Sequence, residues 1–102
     1  MFRAKPDTLS IEELRRIVVP IAEQNGITRV RLFGSRARGD FDKDSDYDFL
    51  IDVGPGVGLL QIGCFIEDLE EVLGKPVNLV DEVMISDIFM RSIQPDLREI
   101  YD

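Results

Sequence analysis

The sequence contains no histidine. That removes the side chain most often used as a general base near neutral pH, and with it any serine triad built on imidazole. One cysteine, Cys64, is present among 102 residues, so no intrachain disulfide can form. Its place in a helical, partly apolar run fits a reduced intracellular protein. No stretch of about 18 apolar residues exists to span a bilayer, and the first residues lack the apolar core of a signal peptide. The expected location is therefore the cytoplasm. Positive charge is scarce too: 12 Lys and Arg stand against 20 Asp and Glu, a formal net charge of −8. A global basic surface for duplex DNA or anionic lipid is excluded, because phosphate neutralisation needs clustered cations.

What is present reads as globular, with 44% hydrophobic and 31% charged residues. Residues 1–102 suffice for a single domain with one core. The charge is unevenly placed. Arg29, Arg31, Arg36 and Arg38 fall within ten residues, and Asp40, Asp42, Asp44, Asp46, Asp48 and Asp52 follow at once. A basic patch abutting an acidic one suits an anion and a cation held together, as in a metal nucleotide. It equally suits a solvated loop whose charges neutralise one another.

Ser10 and Glu13 form a capping box, and Ile11, Leu14, Ile17, Val18 and Ile21 recur at helical spacing, which predicts a helix over 10–25 closed by Gly26. Pro20 should bend it. Residues 27–33 and 46–53 read as strands, separated by Gly34, a short helical turn capped by Ser35, and a polar loop over 39–45. After the turn at 54–58, apolar residues from Leu59 to Leu73 predict a second long helix closed by Gly74. Residues 76–80 predict a third strand. Ile88, Phe89, Ile93, Leu97 and Ile100 suggest further helical segments, broken at Pro95. The fold class is α/β (α+β): a small mixed sheet of three to four strands with flanking helices. Parallel or antiparallel pairing of the first two strands is left open.

On a strand, Asp46 and Asp48 project the same way with Cα atoms roughly 6.6 Å apart. Their carboxylates can converge on one cation, and hard oxygen ligands without imidazole or thiolate favour Mg²⁺ or Mn²⁺. Gly34 allows close backbone approach to a phosphate, Ser35 offers a hydroxyl, and Arg36 or Arg38 adds a charged donor. Carboxylate-held metal needs little else from side chains for phosphoryl or nucleotidyl transfer. Taken alone, alternating acids also line the wet face of an edge strand.

The segment "GSRARGDFDKDSDYD" resembles the Gly-Ser, ten residues, Asp-x-Asp signature of the DNA polymerase beta nucleotidyltransferase superfamily, and the length is similar to its minimal nucleotidyltransferases. The resemblance runs from about Ile11 to Val80. It implies the nucleotidyltransferase fold, Gly34 and Ser35 at the nucleotide phosphates, Asp46 and Asp48 on magnesium, and ATP as nucleotide donor. It also implies a helical HEPN toxin as partner, inactivated by AMP transfer to a tyrosine, with this chain as antitoxin. The family's third carboxylate, on a later strand, falls on Asn78 in Val77-Asn78-Leu79-Val80, where an amide carries no charge and cannot act as a base. Asp81 reaches the site only if the strand ends near Val80. The implied enzyme is an Mg-dependent protein adenylyltransferase slowed by Asn78. The alternative is an interaction module that neutralises its partner by contact. A nucleic-acid acceptor is disfavoured by the acidic balance, and the oligomeric state is open.

Overall fold

The computed structural model describes residues 9–102. The first eight positions of the predicted domain lie outside the described residues. Helix α1 spans Ile11–Gln24 and is capped as expected: Ser10 Oγ accepts from Glu13 N at 3.1 Å, while Glu13 Oε1 accepts from Ser10 N at 2.9 Å. The Ser10 backbone hydrogen bond, with the Ser10 hydroxyl, holds the Glu13 carboxyl below its usual range. Pro20 lies inside the helix without ending it. Pro20 and Arg16, whose carbonyl loses its donor, are both exposed, so water can satisfy that group.

Strand β1 (Ile27–Phe33) leads into the one-turn helix α2 (Ser35–Arg38) and, after a loop, into β2 (Tyr47–Val53). Helix α3 (Leu59–Leu73) returns the chain to β3 (Val77–Asp81). A 3₁₀ turn (Glu82–Met84), helix α4 (Asp87–Ile93) and a second 3₁₀ turn (Gln94–Asp96) precede β4 (Arg98–Tyr101). The strands form one mixed sheet in the order β3-β2-β1-β4. The β1–β2 pair, left open by the sequence, is antiparallel, as is β1–β4. The β2–β3 pair is parallel, and α3 is the crossover such a pair requires.

The expected helical continuation beyond Pro95 is corrected by β4. Ile100 is buried in the main core, and Glu99 and Arg98 pair with Arg31 and Leu32. Four residues carry too little periodicity to announce a strand, and the partner that makes them one lies far back in the chain. Ser35 is corrected too: Gly34 is the residue before α2, and Ser35 is its first helical residue rather than its cap.

One face of the sheet packs against α1 and α3 through Leu14, Val18, Phe49, Phe65, Leu69 and their neighbours. Fully burying such a side chain contributes about 1.5–3 kcal/mol. On the other face a smaller cluster joins Phe33, Leu50 and Ile93, with Val80, Ile85, Met90 and Leu97 packed around it. Phe89 meets Phe33 edge-to-face, centroids 5.9 Å apart. Thus β2 alternates between two apolar layers, and the face shared by Leu50 is also the face of Asp48. Among the described residues no helix is long and apolar enough to cross a membrane.

Candidate active site

The antiparallel register sets Phe33 opposite Asp48, so the residue after Phe33 arrives beside the Asp48 side chain. That residue is Gly34, with φ +78° and ψ −161°. A Cβ there would collide with the Asp48 Oδ2 oxygen, so glycine is required both by the left-handed backbone and by the close approach. The ten residues between Ser35 and Asp46 supply one helical turn and the loop that reverses the chain. Across the other edge of β2, the parallel register sets Asn78 opposite Asp48.

The three polar side chains meet. Asn78 Nδ2 donates to Asp46 Oδ2 at 3.2 Å and to Asp48 Oδ1 at 3.0 Å. Two carboxylates that would otherwise repel are thus bridged by an amide from the neighbouring strand. Asp81 does not join them: β3 continues through it, and its carboxylate accepts from Val83 N at 3.0 Å to start the 3₁₀ turn. Asn78, not Asp81, therefore stands at the acid pair. Among the described residues no group of three or more His, Cys, Asp or Glu side chains could hold a metal ion, and the side chain that joins Asp46 and Asp48 is an amide. Two carboxylates and an amide able to offer its carbonyl oxygen, without sulfur or imidazole, fit a hard cation such as Mg²⁺.

The four arginines have separate partners, whereas sequence reasoning offered only Arg36 or Arg38 a task, as a charged donor to a phosphate. Arg36 is only 8% exposed. Its Nε and Nη2 donate to Ser45 O at 3.0 and 2.8 Å, and Nη2 also reaches Asp42 O at 3.4 Å. The guanidinium lies 4.7 Å from the Phe41 ring centroid and 4.3 Å from that of Tyr47. It therefore fixes the loop that delivers Asp46. Arg38 binds Asp40 at 3.2 Å and Asp96 at 3.4 Å. Arg36 and Arg38 line a cleft of about 280 Å³ whose walls include none of Gly34, Asp46, Asp48 or Asn78.

Arg29 grips Glu99 at 2.8 and 3.1 Å. Arg31 is buried beneath Glu82 at 2.5 Å, with Asp52 at 3.9 Å. The Arg31 hydrogen bond holds the Glu82 carboxyl down, whereas burial, followed by the nearby Glu82, pushes Asp52 up. Asp42 braces the loop, accepting from Asp44 N at 2.8 Å. The run of acids thus divides by partner, and only Asp46 and Asp48 converge.

A mixed sheet that holds two carboxylates beside a glycine turn matches the nucleotidyltransferase class of proteins. The sequence profile of the family described as "Nucleotidyltransferase domain" matches residues 11–100, and the chain belongs to that family. The chain is 39% identical over 72 residues, 71% of its length and 77% of the relative's, to a Methanocaldococcus jannaschii protein to which protein adenylyltransferase activity is ascribed. It is 36% identical over 76 residues, with the same shares covered, to the protein adenylyltransferase MntA of Thermococcus cleftensis. A solved structure ascribed to a minimal nucleotidyltransferase superposes with TM-score 0.75 at 31% identity, covering 89% of this chain and 96% of that one. The fold is shared as well with a structure of a tri-AMPylated Shewanella oneidensis HEPN toxin in complex with MNT antitoxin, at TM-score 0.67 and 15% identity over 90% of this chain and 72% of that one.

Proposed function

We propose that this protein transfers AMP from ATP to a hydroxyl of a HEPN toxin and acts as that toxin's antitoxin. The observation that carries the reading is the convergence of Asp46, Asp48 and Asn78 beside Gly34. The sequence relatives named as protein adenylyltransferases support the reaction, and the toxin complex sharing the fold supports the partner.

Asp46 and Asp48 would hold Mg²⁺, which when bound supplies charge neutralisation at the phosphates and a sharper oxygen nucleophile. Gly34 lets the turn lie directly against the Asp48 carboxylate, Ser35 would offer its hydroxyl to the triphosphate, and the first N–H groups of α2 have no partner within the helix. Arg36 keeps the Asp46 loop in place, and Arg38 stands on the same turn as the exposed cation. The acceptor hydroxyl oxygen bonds to the α-phosphorus as the bond to the bridging oxygen breaks and pyrophosphate departs. Asn78 cannot take the hydroxyl proton. The neighbouring carboxylates and the departing pyrophosphate are the acceptors left, which makes a slow reaction the expectation. ATP and Mg²⁺ supply is consistent with a cytoplasmic setting.

Incubating the protein with its toxin, ATP and Mg²⁺ should add AMP to the toxin by mass spectrometry. Replacing Asp46 and Asp48 together by Ala should abolish the addition. Toxin neutralisation that survives the double substitution would instead assign protection to contact alone, a reading favoured by the exposed apolar Val83, Met84 and Ile88.

A further inference from the structure

Asp46 and Asp48 can only accept hydrogen bonds when ionised, so the side chain between them must present its NH₂ end. Asn78 does so, using one nitrogen for both carboxylates at 3.2 and 3.0 Å. We propose that the Asn78 amide is an internal stand-in for the cation: it holds the acid pair together when no metal is bound and turns over when one is. This rests on the metal-dependent reading above and assigns a positioning role to one residue within it.

The reasoning is geometric. A cation shared by Asp46 and Asp48 would face the N–H dipoles of Asn78, which repel it. Rotating the amide by about half a turn presents Oδ1 instead and converts an opposing group into a neutral oxygen donor. The torsion that does this is a terminal sp³–sp² one, broad and roughly two-fold, so neither orientation is strained. Asn78 is exposed, which gives the amide room to turn. Its backbone is fixed by pairing with Asp48, so the change is confined to the side chain. A carboxylate at this position could not play both parts, because it has no N–H to offer the metal-free pair. The amide gives up metal affinity and keeps the empty site ordered.

The side-chain amide signals of Asn78 in a ¹⁵N–¹H spectrum provide the test. The chain has only two asparagines, Asn25 and Asn78, and Asn78→Asp identifies the second by loss of its pair. Titrating the full chain with Mg²⁺ and a non-hydrolysable ATP analogue should move the Asn78 pair strongly and leave Asn25 in place. Calorimetry run alongside measures binding independently. In Asn78→Asp the metal-free protein should melt at a lower temperature than the wild type, and Mg²⁺ should bind about tenfold tighter, since a third charge faces the ion. Calorimetric binding with an unmoved Asn78 pair overturns the inference and leaves the nucleotidyl-transfer reading standing. Absence of any Mg²⁺ or nucleotide binding overturns both.

Discussion

Gly34 and Asp48 share one corner of the sheet, and the space a Cβ would fill at position 34 is taken by the Asp48 carboxylate. The glycine turn and Asp48 are therefore one steric unit. Gly34→Ala combines a positive-φ, extended-ψ backbone, essentially confined to glycine and costing about 1–3 kcal/mol for an L side chain, with displacement of Asp48. The expected result is a folded protein of lower melting temperature that has lost Mg²⁺-dependent AMP transfer. Wild-type transfer rates in this variant would show that Asp48 does not need its present position.

Arg36 anchors the loop before β2 through two donors and two aromatic rings. Arg36→Met removes hydrogen bonds from a buried charged group to the Ser45 and Asp42 carbonyls and should lower stability by about 1.5–3 kcal/mol. Arg36→Lys should recover only part of this, since a point charge neither forks nor stacks as a guanidinium does. Urea unfolding of the three proteins gives the comparison, and equal midpoints would mean the loop holds itself.

Asp52 supplies a pH dependence whose sign can be worked out. Burial and Glu82 raise its folded-state pKa above the ordinary 3.8, so the folded protein binds that proton more tightly than the unfolded chain. The associated stability is present at low pH and lost as pH rises through the raised value. Asp52→Asn removes the penalised charge and should raise the melting temperature at pH 7, the gain closing as pH falls below 4. Glu82 acts in the opposite sense: its lowered pKa contributes stability above about 4.5 that is lost on acidification. A gain from Asp52→Asn that is the same at pH 7 and pH 3.5 would remove Asp52 ionisation as its source.

Val83, Met84 and Ile88 are 85%, 80% and 78% exposed and lie together in sequence after β3. Introducing Asp at Val83 and Ile88 should leave the melting temperature nearly unchanged, because surface substitutions usually fall within about 0.5 kcal/mol. If this segment meets the toxin, gel filtration should show loss of the complex. An intact complex would move the contact elsewhere on the surface.

Much of the architecture was legible because it is written locally. The capping box at Ser10, the apolar spacing of α3 and the β-branched runs of β1 and β3 need no distant partner. What was not legible depends on contacts across the chain. The strand Arg98–Tyr101 exists because β1 offers an edge to it. The task of Arg36 follows from the carbonyls of Ser45 and Asp42, which no spacing rule indicates. Asp46, Asp48 and Gly34 were legible as a motif, and Asn78 as a polar residue on the third strand. That its amide spans both acids required the register of β2 against β3.

The central position of β2 ties chemistry to cooperativity. Its residues alternate between the layer of Phe49 and that of Leu50 and Asp48, so sliding it by one place against either neighbour would exchange the two faces along the whole strand and drive Asp48 into the main core. The acid pair thus has no separate way to loosen. Backbone amides around Asp48 should exchange their hydrogens only when the entire sheet opens, and whatever melts this protein should disarm it in the same event.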